Sequence, residues 1–366
     1  MIIKSLKTEN FRHLNIDELS FSTQVNIIVG PNGSGKTSIL EALYFLSRTR
    51  SFRVTDSQKI VSFGQDLLRI FASIESDTQL MQIALEKNKQ SIIAKKDGEF
   101  LHKKTELARL LPVLYLGPDT QMILLDSPKF RRRFLDWGLF HHHPTFLMHW
   151  AQYERALKQR NSALKQSLYD KVINSIDQEL VIHGNALSLI RAEFTAQIFS
   201  AMEPFLKALL ADKLDQELQW TMAFKQGYSD DLASALKHSR VPDRMAGFTR
   251  VGPHRADFSL KYNGQNVATA LSRGQLKLAS IALILAQAQL HQQKTLRPSI
   301  LLVDDITAEL DRNHREKLVA SLLGLNAQLF ISVLEYNEFP ELAHIPKNID
   351  KRVFVMDHGS CSNQSY

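Results

Sequence analysis

Eight residues near the amino terminus constrain the fold more than any other part of the chain. They read Gly30-Pro31-Asn32-Gly33-Ser34-Gly35-Lys36-Thr37 and match the pattern Gly-x-x-x-x-Gly-Lys-Ser/Thr. The apolar run Val25–Val29 precedes them, and an amphipathic helical pattern begins at Ser38. The sequence therefore predicts a strand, a phosphate-binding loop (P-loop) and a helix, in that order.

The residue types of this loop suit a nucleotide phosphate and a metal ion. Glycines let backbone N–H groups curve around phosphate oxygens without a Cβ in the way. Lys36 can reach the β and γ phosphates, and the hydroxyl of Thr37 can bind Mg²⁺. The positive end of the following helix points at the phosphates. We therefore expect ATP and Mg²⁺ as cofactors, with Gly30–Thr37 binding ATP and Lys36 as a catalytic residue.

A second acidic element lies far downstream. The apolar run Ile300–Val303 ends in Asp304 and Asp305, as a Walker B strand does. Asp304 would hold Mg²⁺ opposite Thr37. Asp305 would orient or deprotonate the attacking water, which makes it the second predicted catalytic residue.

A third motif indicates which class of P-loop ATPase the chain resembles. Leu271-Ser272-Arg273-Gly274-Gln275 opens a predicted helix and resembles the LSGGQ signature of ABC-type ATPases, with Arg in the third place. Ser272 is a good N-cap, and the helix dipole favours an anion at this end. Ala308-Glu309-Leu310-Asp311 follows the acidic strand at the spacing of an ABC D-loop, with Asp311 as its acidic residue. Asp305 stands where most ABC ATPases have Glu, so its carboxylate should sit farther from the water, and we expect a weak ATPase that acts as a switch.

Further stretches resemble the RecF family of bacterial recombination and repair ATPases, which is related to the SMC heads. They are Glu9-Asn10-Phe11-Arg12, Arg50-Ser51-Phe52-Arg53, Ser127–Asp136, Gly252–Asp257 and Leu271–Leu278. The resemblance covers nearly the whole chain. It implies an α/β fold: an ABC-type P-loop ATPase head, with an inserted, mainly helical second lobe and no long coiled coil. The head would comprise residues 1–117 and 250–366, and the inserted lobe residues 118–249.

The resemblance also implies a function. It suggests an ATP-dependent DNA-binding protein of recombinational repair and replication restart, which helps RecA loading with RecO and RecR and supports the SOS response. In the ABC arrangement, the signature of one chain caps the nucleotide of another. Ser272, Arg273, Gly274 and Gln275 would therefore contact ATP in trans, in an ATP-dependent homodimer that clamps single-stranded or gapped DNA. Two alternatives share the nucleotide motifs: the ATPase subunit of a transporter and the ATPase of a defence nuclease.

Charge is compatible with a DNA partner but does not require one. The chain has 366 residues, with 45 Lys and Arg against 38 Asp and Glu, so its net charge is +7. Residues 129–165 contain eight Lys or Arg, among them Lys129, Arg131, Arg132 and Arg133. Such residues give sequence-independent DNA affinity. The same pattern also fits a solvated helix face whose aromatic residues lie in the core.

The remaining sequence predicts a cytoplasmic protein with a helical middle. The single cysteine, Cys361, excludes a disulfide within the chain, and no apolar run reaches the length of a membrane span. We expect residues 128–226 to be mostly helical, with a break near Ser167–Lys171 and further interruptions at Gly184, Pro204 and Gly227. Beyond them we expect a strand at Asp257–Tyr262 with a hairpin turn at Asn263-Gly264. Alternating helices and strands then follow, namely a helix at Gln275–Gln292, a buried strand at Ile300–Val303, a helix at Asn313–Leu323, and strands at Gln328–Val333 and Arg352–Met356.

Overall fold

The computed structural model describes residues 1–76, 79–211, 219–305, 310–336, 340–343 and 345–364. Contacts within the chain divide it into two compact units. Unit 1 consists of Met1–Thr120 and His291–Tyr366, and unit 2 consists of Gln121–Leu290. The chain therefore leaves unit 1 once, forms unit 2 and returns to complete unit 1.

Strands predominate in unit 1 and helices in unit 2. In the described residues the strands are β1 (Ile2–Glu9), β2 (Ile16–Ser20), β3 (Val25–Val29), β4 (Leu68–Glu75), β5 (Leu80–Lys87), β6 (Ile92–Lys96), β7 (Glu99–Phe100), β8 (Val113–Leu116), β9 (Trp220–Lys225), β10 (Asp257–Tyr262), β11 (Gln265–Asn266), β12 (Ser299–Asp304), β13 (Ala327–Val333), β14 (Lys351–Asp357) and β15 (Ser360–Gln364). The α-helices of the same residues are α1 (Lys36–Arg48), α2 (Lys104–Leu110), α3 (Met122–Leu125), α4 (Pro128–His142), α5 (Phe146–Lys165), α6 (Asp170–Leu210), α7 (Leu232–His238), α8 (Arg240–Ala246), α9 (Val267–Ala270), α10 (Arg273–Thr295), α11 (Arg312–Leu323) and α12 (Pro340–Ala343).

One sheet of unit 1 is mostly parallel. Its strand order in the described residues is β15-β14-β3-β13-β12-β8, and β15 pairs with β14 in antiparallel fashion. β3 and β12 are buried along their whole length, as expected for parallel strands that are covered on both faces. β13 lies between them, with Leu329 beside Val25 on one side and beside Leu301 on the other. The carboxyl ends of β3, β12 and β13 therefore meet at one edge of the sheet.

The other sheet of unit 1 is antiparallel, with the order β2-β1-β4-β5-β6-β7 in the described residues. Along β4, buried residues alternate with half-buried ones, so one face of this sheet is turned toward the core. Ile39 and Leu43 of α1 join that face in an apolar cluster that also includes Leu302 and Phe330 of the parallel sheet. α1 is thereby fixed by packing on both sheets, which positions the loop at its amino terminus.

The helices of unit 2 largely follow the sequence pattern. The predicted break is confirmed, since α5 ends at Lys165 and α6 begins at Asp170. The predicted interruptions at Gly184 and Pro204 are wrong, since α6 continues through both residues, whereas Gly227 lies just after the end of β9. A Cβ on Gly184 would lie 2.4 Å from Leu232 Cδ2, so this glycine permits close packing of α6 on α7 instead of ending the helix.

A small sheet makes unit 2 less helical than expected. β10 is present as predicted, with Asn263-Gly264 forming the turn to β11. All six residues of β10 also pair with β9, which lies in the stretch that we predicted to be helical. This pairing assigns β10 to unit 2, whereas the sequence-based division placed residues 250–366 with the head. The contacts thus divide the chain near residues 120 and 290.

The interior of unit 2 contains a buried network of ion pairs. Arg160 is fully buried and donates to Asp177 Oδ1 and Asp243 Oδ2, each at 2.6 Å. It also donates to Thr249 Oγ1 at 3.0 Å. A guanidinium that has left water requires such partners, because its desolvation is costly. Arg160, one of the eight basic residues in 129–165, is therefore committed to partners inside unit 2 and is not exposed to an external anion.

Most elements predicted for the last third of the chain are present within one residue of their expected ends, whereas α10 begins two residues before its expected start and ends three residues beyond its expected end. They include the buried strand β12, the helix α11 and the parallel strands β13 and β14. Among the helices described here, none has the length and apolar composition that crossing a bilayer demands.

Candidate functional site

The predicted P-loop lies at the carboxyl edge of the parallel sheet, between β3 and α1. Its backbone is anchored on both sides. Gly30 N donates to the carbonyls of Val333 (3.3 Å) and Leu334 (3.2 Å), and Gly359 N donates to Ser34 O at 2.8 Å. These bonds tie the loop to the end of β13 and to the turn between β14 and β15.

Two of its glycines are required by the backbone. Gly35 has φ of 115°, in the region that L side chains rarely adopt, and it immediately precedes α1. A Cβ on Gly30 would lie 2.6 Å from Met356 O and 2.7 Å from Ser34 Oγ. The Ser34 hydroxyl is buried and has no hydrogen-bond partner among the described residues. A buried hydroxyl without a partner fits a ligand oxygen such as that of a phosphate.

The ammonium of Lys36 is turned into the loop. Lys36 Nζ donates to the carbonyls of Gly30 (2.6 Å) and Pro31 (3.0 Å). Burial lowers the pKa of this ammonium, and the carboxylates of Asp305 and Asp304 partly oppose that shift. A bound phosphate would likewise favour the charged form, because an opposite charge nearby stabilises it.

Asp304, at the end of β12, is surrounded by hydroxyl groups. Its Oδ1 accepts from Thr37 Oγ1 at 3.0 Å and from Ser332 Oγ at 2.8 Å. Its Oδ2 lies 3.4 Å from the hydroxyl of Tyr115, whose pKa is raised by burial and by the charge of Asp304. A carboxylate beside a threonine hydroxyl offers the hard oxygen ligands that Mg²⁺ prefers, so these residues fit that ion.

Asp305 adopts an unusual backbone conformation. Its φ of 46° lies in the left-handed region, which Asp tolerates better than most residues. Its N–H donates to Ser332 Oγ at 3.0 Å. Ser332 thus contacts both acids, since its hydroxyl donates to Asp304 and accepts from Asp305. Strained backbone that is held by specific bonds is typical of functional sites.

A buried carboxylate on α1 joins two of the stretches that resemble the RecF family. Glu41 is fully buried and accepts from Arg12 Nε (2.9 Å) and Arg12 Nη2 (2.8 Å). It also accepts from the hydroxyl of Ser51, and Arg53 Nη1 lies 3.8 Å away. The paired bonds from Arg12 hold the segment after β1 against the helix that carries the P-loop.

The predicted signature residues lie at the start of α10, in unit 2. Gln275 N donates to Ser272 Oγ at 3.3 Å, and Ser272 N donates to Gln275 Oε1 at 2.8 Å. This reciprocal pair is a capping box. Ser272, Arg273 and Gly274 are exposed, and a Cβ on Gly274 would meet nothing within 4 Å. The loop is therefore held by its own side chains and is accessible from solvent.

The predicted D-loop lies only partly within the described residues. Ala308 and Glu309 are outside them. Asp311 is the N-cap of α11, where its Oδ1 accepts from His314 N at 3.0 Å and lies 2.6 Å from His314 Nδ1.

The four candidate DNA-binding residues differ in how they are engaged. Arg131 donates to Asp257 Oδ1 (2.6 Å) and Oδ2 (3.1 Å), and Arg132 donates to Ala256 O at 2.6 Å. Lys129 and Arg133 are exposed on α4. Two of the four thus hold unit 2 together, and the other two remain accessible to a polyanion.

The sequence did not reveal all the residues that shape this site. Ser332 lies in a stretch to which we assigned no role. The one feature of the sequence that could have indicated it is its position near the end of a buried strand. Tyr115 could have been found in the same way, since it lies near the end of strand β8. Glu41 resembles any helical glutamate until its burial is known.

The strand order and the P-loop beside Asp304 define an ABC-type ATPase head related to the SMC heads. The model of the RecF/RecN/SMC N-terminal domain family matches residues 2–351. A protein of Hydrogenovibrio crunogenus, named DNA replication and repair protein RecF, is 35% identical over 94% of this chain and 96% of its own length. A protein of the same name from Pasteurella multocida is 37% identical over 93% of this chain and 95% of its own. The chain therefore belongs to the RecF family.

A solved structure agrees with this fold. It is that of the recombination mediator protein RecF-ATP in the RecFOR pathway, and it superposes with a TM-score of 0.87. The match covers 100% of this chain and 98% of the other at 23% identity, so it supports the fold alone. The fold class predicted from the sequence is confirmed.

The contacts of Ser332 yield a testable expectation. Ser332→Ala removes one bond to each acid, so the carboxylate of Asp304 and the backbone N–H of Asp305 lose their shared support. We expect ATP hydrolysis to slow by up to about 10²-fold, the loss that a ~1 Å displacement of a reacting group can cause. ATP affinity should stay close to that of the parent, because Gly30–Thr37 are unchanged. Phosphate release and nucleotide titration measure the two quantities.

The matched control is Ser321→Ala, whose hydroxyl donates within α11 to Lys317 O at 2.8 Å. Equal turnover in the two variants would show that Ser332 does not position the acids.

Proposed function

We propose that this chain is an ATP-dependent DNA-binding protein of recombinational repair and replication restart. The observation that carries the proposal is the 3.0 Å contact between Thr37 Oγ1 and Asp304 Oδ1, which brings the P-loop and the acidic strand into one site. Relatives that match over nearly their whole length are named DNA replication and repair protein RecF, which favours repair over the transporter and nuclease alternatives. From this role on DNA we also infer a cytoplasmic location.

The residues of unit 1 have distinct parts in ATP binding and hydrolysis. Backbone N–H groups of the P-loop donate to the phosphates, and Lys36 exchanges the carbonyls of Gly30 and Pro31 for phosphate oxygens. Thr37 and Asp304 hold Mg²⁺, which acts as a Lewis acid. Asp305 orients a water and accepts its proton. Because Asp305 is shorter than Glu, turnover is slow, and hydrolysis serves as a switch.

The signature residues complete the site of a second copy. The γ-phosphate of ATP that is bound to Gly30–Thr37 of one chain is contacted by the signature of the other chain, which consists of Ser272, Arg273, Gly274 and Gln275. Two copies related by a two-fold axis bury two ATP molecules, and the interface closes at two. ADP lacks the γ-phosphate and does not hold the pair. The ATP-bound dimer is the clamp that binds single-stranded or gapped DNA.

Lys129 and Arg133 contribute to DNA binding, since both are exposed on one helix. The wider role is supported by the family resemblance: the clamp acts with proteins of the RecR and RecO type, helps to load RecA and supports the SOS response.

ATP binding is tested with Lys36→Ala. Removal of the ammonium should weaken ATP binding by about 10–100-fold, since a hydrogen bond to a charged group contributes about 1.5–3 kcal/mol. The control is Lys294→Ala, which removes an exposed lysine of α10. Turnover of the parent should lie well below the typical enzyme value of roughly 10 s⁻¹. Equal ATP affinity in a folded Lys36→Ala variant would exclude this nucleotide site.

Assembly is tested by sedimentation. The parent should be monomeric without nucleotide or with ADP, and dimeric with saturating ATP and Mg²⁺. Ser272→Arg should bind ATP but remain monomeric, because the longer side chain blocks the approach of the partner's γ-phosphate. Ser200→Arg, at an exposed position of α6, is the control and should dimerise like the parent. A parent that stays monomeric in ATP with DNA present would contradict the dimer.

The α4 contribution to DNA binding is tested with Lys129→Ala and Arg133→Ala combined. The slope of log K against log salt on duplex DNA should become shallower by about 0.9 for each lost phosphate contact. Arg131 and Arg132 are left intact, because their bonds to Asp257 and Ala256 support unit 2. If the slope stays the same, DNA does not contact this part of α4.

A further inference from the structure

A surface cleft in unit 2 is used by none of the roles assigned above. It has a volume of about 500 Å³ and lies among the segment after β9, helix α7 and the segment after α8. Its lining includes Arg250, Arg255, His238, Ser239, Asp230 and Phe248. Arg255 belongs to Gly252–Asp257, a stretch that the sequence singled out and to which no function was attached.

The cleft has an excess of positive charge that is not neutralised by ion pairs. Arg250 and Arg255 are exposed, and neither guanidinium forms an ion pair or hydrogen bond with any of the described residues. Other arginines of unit 2, such as Arg131 and Arg160, are paired with carboxylates. Asp230 supplies one carboxylate against these two guanidinium groups. Two unpaired arginines in one concavity suit a phosphate group.

Buried groups beneath the cleft fix one wall. Asp243 is fully buried, and its Oδ1 accepts from Arg250 N at 3.0 Å. Its Oδ2 accepts from Ser239 Oγ at 2.9 Å and from the buried Arg160. The backbone of Arg250 and the side chain of Ser239 are thus held by the ion pair at the centre of unit 2.

The turn that carries Arg255 is fixed as well. Gly252 N donates to Gly227 O at 3.0 Å. His254 Nε2 donates to Thr249 O at 3.0 Å, and its Nδ1 accepts from the hydroxyl of Tyr153 at 2.8 Å. Burial lowers the pKa of His254 to about 4, so the ring is neutral and can accept that bond. A preformed wall reduces the entropy lost when a ligand binds.

Phe248 adds an aromatic surface to the same cleft. Its side chain is 47% exposed, although an apolar ring is ordinarily buried. Nucleic-acid bases stack on such rings in single strands, where the faces of the bases are accessible. A base inside a duplex offers no free face, so the ring favours an unpaired strand.

We propose that this cleft binds a segment of single-stranded DNA, with Arg250 and Arg255 contacting the phosphodiester backbone and Phe248 stacking on a base. The proposal rests on the proposed DNA-binding function and adds a second contact surface to Lys129 and Arg133.

The test is fluorescence anisotropy of a labelled oligodeoxythymidylate with the full chain in saturating ATP and Mg²⁺. Arg250→Ala and Arg255→Ala should each weaken binding and make the salt slope shallower by about 0.7, the value for one lost phosphate contact on a single strand. Phe248→Ala should weaken binding by about tenfold without changing the slope, because stacking involves no counterion. Phe248→Tyr should bind like the parent.

The matched control is Arg297→Ala, which removes an exposed arginine of unit 1 and should leave affinity and slope nearly unchanged. Affinity for ATP, measured on every variant, should equal that of the parent. If the parent binds the oligonucleotide and the cleft variants bind it equally well, the cleft is not a DNA site, although the proposed function stands. If thymidine monophosphate competes as well as the oligonucleotide, mole for mole, the site is one for free nucleotides and the proposal is wrong. A parent that binds no DNA would overturn both.

Discussion

The hydrogen bond between Thr37 and Asp304 joins residues 267 positions apart in the chain. It depends on the parallel pairing of β3, β13 and β12, because only that pairing brings the carboxyl ends of the two motif-bearing strands to one edge. The pairing in turn requires residues 291–366, which follow unit 2 in the chain, to belong to unit 1. Strand order, buried apolar runs and the packing of α1 thus serve to place a hydroxyl beside a carboxylate.

Ser332 is the residue on which the two acids most directly rely. It ends the strand between the P-loop strand and the acidic strand, so its hydroxyl reaches the side chain of Asp304 and the N–H of Asp305. Asp305 leaves the strand with a left-handed φ, and this bond supports its backbone in that conformation. The geometry of the second acid therefore depends on the neighbouring strand as well as on its own.

Local patterns predicted those parts of the structure that are set by local physics. The strand–loop–helix of the P-loop, the buried β12 and the hairpin at Asn263-Gly264 each depend on periodicity or on turn residues. The pairing of β9 with β10 was not predictable in this way, because it joins segments separated by two helices. The prediction of a helix interruption at Gly184 was wrong for the same reason. This glycine allows Leu232 to pack closely against α6, and the sequence does not show that the two residues are neighbours.

Counting basic residues was similarly insufficient to identify a DNA-binding surface. Arg131, Arg132 and Arg160 lie in the basic stretch 129–165, yet each is engaged inside unit 2. Arg250 and Arg255 lie in a less conspicuous stretch and are left without an ion pair among the described residues. Whether an arginine can attract a polyanion depends on whether the fold places a carboxylate beside it. The amino-acid composition contains no information about that position.

The two bonds that Lys36 makes within its own loop have a consequence for selectivity. Because Gly30 O and Pro31 O already satisfy two of its three N–H groups, a ligand that displaces these carbonyls replaces two hydrogen bonds and can add at most one to their number. The gain then comes from the change of acceptor, since a bond from an ammonium to an anion is roughly twice as strong as one between neutral groups. The loop therefore discriminates between ligands by their formal charge. An uncharged isostere of the triphosphate, equal in shape and in acceptor count, would gain little binding free energy from Lys36 by displacing the carbonyls.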